Sequence, residues 1–392
     1  MRIVAIGDVG VVDSMMHIGD EAMFEEFLDQ ARIRGVDEVL VISAQPDETA
    51  NRYGIESLPR LGLVGDRAAM LERARAIVDG SIDEGDPART TMRAVASADK
   101  VVVTGAGNLA STWPAHIIER WALSRLAAAA GIPFVVSGQT LGPELTADDA
   151  TLLTEMLDSA ELVGVRESAS LALARRLGIT HAVQTVDDAS FLKIDEPTPA
   201  APAIERPYCL VSLSTHVGVA DRVDFQTSVA ALLDAIAEST GLGIVFYAHF
   251  GPLDGEAARG DVVMHRAVAA LMSSPTDVVE TGDSDAAAWL ARRASLVVSS
   301  RYHPAVFAVS AGVPTLGIAV DEYTTVKLTG ALGNFGQDAV VSAADVISGG
   351  AVAVSSAIWQ ARDEIRERSI EIADARRHDS VGWWDRVIGA QG

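Results

Sequence analysis

One cysteine, Cys209, stands in 392 residues, which excludes an intramolecular disulfide and any zinc site built on cysteine clusters. Basic residues are scarce, 31 Lys and Arg against 54 Asp and Glu, for a net charge of −23. That balance speaks against nucleic acid or an anionic membrane surface as a main partner. It leaves room for a small anionic substrate held by local arginines. No apolar run reaches membrane-spanning length, and the segment from Met1 to Asp8 lacks a signal-peptide core; no integral membrane segment and a cytoplasmic location are expected. No HExxH-type spacing occurs, so no metal is expected.

What is present is 49% hydrophobic and 22% charged, the make-up of a globular protein. The length implies two domains. Short apolar runs alternate with helical patterns, the mark of parallel sheets with crossover helices. Strands are expected at Ile3–Ile6, Val39–Ile42, Val101–Thr104, Phe134–Ser137 and Leu162–Val165. The rhythm restarts at Leu210–Leu213, Ile244–Tyr247, Val278–Thr281, Leu296–Ser299 and Thr315–Ala319. Helices are expected at Glu21–Arg34, Arg67–Val78, Ile117–Ala130, Ala147–Leu157 capped by Thr146, Ala169–Leu177 and Ile358–Ala375. The proline-rich stretch 195–207 reads as a linker. The expected architecture is α/β: two doubly wound, Rossmann-like domains, 1–197 and 207–392, facing a cleft, with a long C-terminal helix in the second. Cys209, in an apolar strand pattern, reads as a buried structural thiol.

The most informative run is Leu296-Val-Val-Ser-Ser-Arg301-Tyr302-His303-Pro304. A buried strand stops at an arginine and a histidine, and a proline suited to a first helical turn follows. Ligands of open α/β sheets bind at the carboxyl ends of strands, and helix N-termini favour anions. A fixed cation, an imidazole and free backbone donors point to acid–base chemistry on an anionic substrate. Other strand ends carry weaker signals. Gly19-Asp20-Glu21 opens the first helix with Asp20 as its expected N-cap, and His17 reads equally well as a surface histidine. Gly105-Ala-Gly107-Asn108-Leu-Ala110 fits a dinucleotide pattern of glycines. The strand after it ends in Gly138-Gln139-Thr140, without the acidic residue a ribose needs, which disfavours a nicotinamide enzyme. A glycine-lined loop approaching a ligand, with Asn108 as donor, remains open. Ser137-Gly138-Gln139 through Pro143 reads as a rigid turn. Arg166 after an apolar strand reads on its own as a surface ion pair with Glu167, and His249 at a strand end as structural.

In order, these elements resemble the polysaccharide pyruvyl transferase family. The likeness covers nearly the whole chain: Gly19-Asp-Glu-Ala22, Gly105-Ala-Gly107, Gly138 to Pro143, Val165-Arg166-Glu-Ser-Ala-Ser170 and Asp187-Asp-Ala-Ser-Phe191. The strongest match is Ser300-Arg301-Tyr302-His303 through Phe307-Ala308 to Gly312-Val-Pro314, similar to the family's Arg-x-His core. The resemblance implies a GT-B-like fold and transfer of a pyruvyl group from phosphoenolpyruvate to a sugar or glycan, lipid-linked forms included, as a ketal. No cofactor beyond the donor substrate is implied, and the first domain would be the acceptor side.

On that resemblance His303, Arg301 and Arg166 would be catalytic. Gly105, Gly107, Asn108, Gly138, Gln139, Lys327, His249 and Asp20 would bind substrate. Lys327 would stand in for the family's lysine although it lies further from Asp321 than the usual pattern has it, and His17-Ile18 stand where an Asn usually precedes the Gly-Asp-Glu. Arginine forks suit the carboxylate and phosphate of phosphoenolpyruvate, and an imidazole suits proton delivery near neutrality. Two other readings stay open. A nucleotide-sugar glycosyltransferase of the same architecture would use Glu280 or Asp283 to grip a ribose; a non-catalytic ligand-binding protein would keep the fold alone.

Overall fold

The computed structural model describes residues 1–194, 202–253 and 259–389. Its first nine strands are β1 (Arg2–Ile6), β2 (Met15–His17), β3 (Glu38–Ser43), β4 (Glu56–Pro59), β5 (Lys100–Val103), β6 (Ala106–Leu109), β7 (Phe134–Leu141), β8 (Leu162–Val165) and β9 (Ala182–Gln184). The remainder are β10 (Tyr208–Ser212), β11 (Gly243–Tyr247), β12 (Phe250–Pro252), β13 (Thr276–Val279), β14 (Leu296–Ser299), β15 (Thr315–Ala319) and β16 (Val340–Ser342). Two compact units result. Unit 1 is Met1–Val12, Met23–Asp188 and Asp379–Gly392; unit 2 is Asp13–Ala22 and Ala189–His378.

Unit 1 carries a parallel sheet ordered β4-β3-β1-β5-β7-β8-β9, with β6 beside β7. Its strands are apolar at nearly every position because both faces are covered. Side-chain alternation shows this: Val4, Ile6, Val101 and Val103 enter one core, whereas Ile3, Ala5 and Val102 enter another. Unit 2 carries a parallel sheet ordered β13-β11-β10-β14-β15-β16. The short pair β2 and β12 is antiparallel and lies within unit 2. Both main sheets begin in the middle, run outward to one side, then return past the first strand, which is the doubly wound pattern.

All ten expected strands form, most within one or two residues of the expected ends, and Cys209 is buried in β10. Local chemistry sets several helix starts: Asp66 and Thr146 accept backbone N–H groups at the heads of Arg67–Val78 and Ala147–Asp158. Two expectations change. The turn expected from Ser137 is strand, since β7 continues to Leu141 and the chain bends only at Gly142-Pro143. The helix expected at Ile358–Ala375 is two helices, Gly350–Gln360 and Arg362–Val387, parted at Ala361. The linker stretch 195–207 lies largely outside the described residues, of which 195–201 are not part.

The units also differ from the expected 1–197 and 207–392, since 13–22 groups with unit 2 and the chain end from Asp379 with unit 1. The reason for the second is apolar burial. Trp383, Trp384, Val387 and Ile388 fill one core of unit 1 with Ile3, Phe24 and Phe27. Trp383 Nε1 donates to Ser137 Oγ at 2.9 Å. The indole lies over Gly164 of β8, where an added Cβ would stand 2.4 Å from Cζ2. Gly164→Ala is therefore expected to lower stability by about 1–3 kcal/mol through overpacking, read by urea unfolding. Gly85→Ala, where a Cβ meets nothing, should stay within about 0.5 kcal/mol.

Candidate functional site

In unit 2 the chain reverses direction across the sheet between β10 and β14, and ligands of such sheets collect outside the carboxyl ends at that point. Serines join the two strand ends. Ser299 Oγ donates to Ser212 O at 3.0 Å and accepts the Arg301 N–H at 3.0 Å, while Ser300 Oγ accepts the Ser214 N–H at 2.9 Å. Arg301, in extended conformation, is the N-cap of helix Tyr302–Val309, and no side chain caps that helix. The strand–arginine–helix order read from the sequence is what the chain adopts.

Arg301 is held by Asp261, whose carboxylate takes Nε at 2.9 Å and Nη2 at 2.5 Å. Asp261 is fully buried and also accepts the Phe250 N–H at 3.0 Å. Burial pushes its carboxyl above the ordinary value, with Arg301 and the backbone donors opposing. The Arg301 side chain is 26% exposed, and Nη1 bonds to none of the described residues. His303, half-buried in the first turn of that helix, lies edge-on to Tyr302, ring centroids 5.0 Å apart. Its imidazole presses on Gly19: a Cβ there would stand 1.6 Å from Nδ1. His249, at the end of β11, places Nδ1 3.0 Å from Ser212 Oγ and 3.2 Å from Tyr247 O. Burial above all lowers its pKa to about 3, so it is a neutral imidazole. Lys327 Nζ sits 4.6 Å above the Tyr302 ring and donates to Tyr323 Oη at 3.1 Å.

Arg301, His303, His249 and Lys327 thus share one edge of unit 2. Asp20 follows Gly19 but lies inside helix Ile18–Ile33, not before it, because the helix starts directly from β2. His17 is in β2, its ring 4.1 Å from that of Phe250. Among the residues the sequence reading passed over, Asp261 and His265 belong here; the buried His265 accepts the Leu213 N–H through Nε2 at 2.8 Å. Their only signal was position, in a short helix, Asp261–Ala269, without a motif.

The remaining candidates lie in unit 1. Arg166 is wholly buried, with Nε on Thr140 Oγ1 at 2.8 Å and Glu167 Oε1 at 3.1 Å, and Nη1 on Asp187 Oδ2 at 2.5 Å. The expected ion pair with Glu167 exists, but inside the unit and not at the surface. Gly105 and Gly138 surround the carboxylate of Asp188: a Cβ at either would stand within 3 Å of Asp188 Oδ2. These glycines make room for a buried side chain. Gln139 is buried in β7 and its amide donates to the carbonyls of Thr104 (2.5 Å) and Ser137 (3.2 Å), which is a sheet-bracing role. Gly107 and Asn108 are in β6, where Asn108 Nδ2 donates to Asp8 Oδ2 at 3.0 Å.

A model of the polysaccharide pyruvyl transferase family matches residues 17–322. The chain belongs to this family. No curated protein sequence matches it. Solved structures agree that the fold is GT-B-like. UDP-GlcNAc 2-epimerase of Methanocaldococcus jannaschii has a TM-score of 0.59 at 12% identity, over 90% of this chain and 93% of that one. MnaA of S. aureus, solved with UDP, scores 0.61 at 9% identity over 100% and 98%. The glycosyltransferase SnogD of Streptomyces nogalater scores 0.50 at 17% identity over 98% and 99%. Among the described residues no helix is long and apolar enough to cross a membrane, and no group of three or more His, Cys, Asp or Glu is placed to hold a metal.

Two tests follow from this geometry. Gly19→Ala should displace His303 and cost about 1–3 kcal/mol of stability, read by urea unfolding. Asp188, a buried residue, has its carboxyl raised well above 3.8 by burial first, then by Asp187 and Glu26. The native state therefore holds a proton that the unfolded chain releases, and stability should fall as pH rises above about 4 toward the raised native value. Asp188→Asn cannot ionise and should remove that part of the slope, in urea unfolding followed across the acid-to-neutral range.

Proposed function

We propose that this protein moves a pyruvyl group from phosphoenolpyruvate onto two hydroxyls of a sugar or glycan precursor, forming a ketal and releasing phosphate. The observation that carries the reading is the convergence of Arg301, His303 and Lys327 at the strand-reversal point of unit 2 in a chain of this family. A donor with a carboxylate and a phosphate needs fixed cations, and Arg301 is oriented by Asp261 with Nη1 still able to donate. Backbone N–H groups in the first turn of Tyr302–Val309 add donors for an anion.

His303 delivers a proton to the methylene carbon, making it a methyl group and leaving an oxocarbenium-like centre. One sugar hydroxyl attacks that centre, and its proton returns the imidazole to its starting state. The phosphate then leaves with the C–O bond electrons, and a second hydroxyl closes the ketal, its proton going to phosphate. The hydrogen count closes: one hydroxyl proton ends on carbon and one on phosphate. Lys327, on the Tyr302 ring, supplies positive charge beside the departing group. Arg166 is left out of this donor site because it is wholly buried, with Nε and Nη1 committed to Thr140, Glu167 and Asp187.

The two residues that the glycosyltransferase reading would use for a ribose already have partners in the protein. Glu280 pairs with Arg266 at 2.7 Å, and Asp283 caps helix Ser284–Arg293 through the Ala286 N–H at 2.8 Å. In thermal-shift measurements phosphoenolpyruvate should raise Tm and UDP-sugars should not. His303→Gln should retain that shift yet lose about 100-fold or more in phosphate release with a sugar acceptor. Near-normal turnover by His303→Gln, or a shift with UDP-sugars only, defeats the proposal.

A further inference from the structure

Unit 1 has its own strand-reversal point, between β1 and β5. Asp8 follows β1, Asn108 lies in β6, Arg60 follows β4, and His116, Glu119 and Arg120 lie on helix Pro114–Ala130. Three donors converge on one ring nitrogen: Arg120 Nη1 at 3.0 Å, Arg60 Nη2 at 3.3 Å and Asn108 Nδ2 at 3.4 Å all face His116 Nδ1. Guanidinium and amide N–H groups only donate, so Nδ1 is the acceptor and the proton of a neutral ring sits on Nε2. Burial, then Arg120, lower the His116 pKa to about 3, which keeps the ring neutral.

The groups left over are of both kinds. Asp8 gives Oδ2 to Asn108, whereas Oδ1 is 3.6 Å from Arg60 Nη1 and 3.9 Å from His116 Nδ1, beyond hydrogen-bond length. Asn108 is 8% exposed, and its Oδ1 is buried with no hydrogen-bond partner among the described residues. His116 Nε2–H makes no hydrogen bond to the described residues. Formal charges balance, because Arg60 and Arg120 are offset by Asp8 and by Glu119, which takes Arg60 Nε at 2.9 Å. The Asp8, Arg60 and His116 side chains are 30%, 27% and 17% exposed, so a ligand can reach them.

We propose that Asp8, Arg60, Asn108 and His116 form a second binding site in unit 1, which takes the hydroxyls of an uncharged sugar. Two acceptors beside two donors in a charge-balanced cluster match hydroxyl groups, each of which donates and accepts at once. A phosphate would meet the Asp8 carboxylate and the Asn108 carbonyl oxygen unfavourably. The assignment of this sugar as the pyruvyl acceptor rests on the function proposed above; the binding itself does not.

Saturation-transfer NMR with methyl glucosides, galactosides and mannosides reads binding without turnover. The wild type should bind at least one glycoside saturably. Asp8→Asn, His116→Phe and Arg60→Met, each checked for folding by Tm, should weaken that binding roughly tenfold or more, the loss expected when a hydrogen bond to a charged group goes or a polar partner is left unsatisfied. Their affinity for phosphoenolpyruvate should match the wild type. No transfer to any glycoside in the wild type, undiminished transfer in the folded variants, or displacement of the sugar by inorganic phosphate overturns the proposal. Sugar binding that the variants abolish, in a wild type that binds no phosphoenolpyruvate, upholds this site and retires the donor reading alone.

Discussion

The pair that Arg301 forms with the buried carboxylate of Asp261 is the constraint on which unit 2's site rests. Removing a carboxylate from water costs several kcal/mol, recovered only with good geometry and further hydrogen bonds. Here the carboxylate takes two guanidinium nitrogens and the Phe250 N–H, and so ties the end of β14 to the segment after β11. The consequence is orientation. One edge of the guanidinium is committed to Asp261 and the other is open, so a donor anion would meet an arginine already in place, without the entropy of ordering a free side chain. Removing Asp261 alone would leave Arg301 charged and unmoored, which is why such pairs are costly to break even when they add little net stability.

Unit 1 offers a comparison written in the same sequence grammar. Arg166 and Arg301 each follow an apolar strand, yet one is sealed between Asp187 and Glu167 while the other reaches solvent. The difference lies in partners far along the chain for Arg301, with Asp261 forty residues away, and near for Arg166, with Glu167 adjacent. Strand positions, the doubly wound order and the Arg301–His303 strand end were legible because they depend on patterns two to four residues long. Asp261, His265, Asp8 and His116 were not, because each acquires meaning only when sheet topology brings distant strand ends together.

Glycines show the same limit from another side. In the sequence Gly105 reads as lining a loop near a ligand, Gly138 as part of a rigid turn and Gly19 as the opening of a helix. What each glycine admits is decided in three dimensions: the Asp188 carboxylate against the first two, the His303 ring against the third. A glycine-rich strand end is therefore as much a sign of a buried protein side chain as of a ligand. The long C-terminal helix teaches a similar lesson, since its tail follows its tryptophans into the core of unit 1.

A shared GT-B-like fold with UDP-sugar epimerases and glycosyltransferases leaves the chemistry open, since such folds host many reactions. What this chain adds to the fold is a different charge at each strand edge. In a chain of net charge −23, a site for an anion must be made locally, and unit 2 does so with Arg301, held by the buried Asp261, with Lys327 and with a helix start that no side chain caps. Unit 1 assembles two arginines at its own edge but balances them with Asp8 and Glu119 and keeps His116 neutral. The same architecture thus yields an edge suited to a charged donor and an edge suited to an uncharged polyol. On the function proposed above, that asymmetry is what joining a dianionic donor to sugar hydroxyls requires; a nucleotide-sugar donor is anionic too, so the two readings part on which anion the Arg301 edge takes.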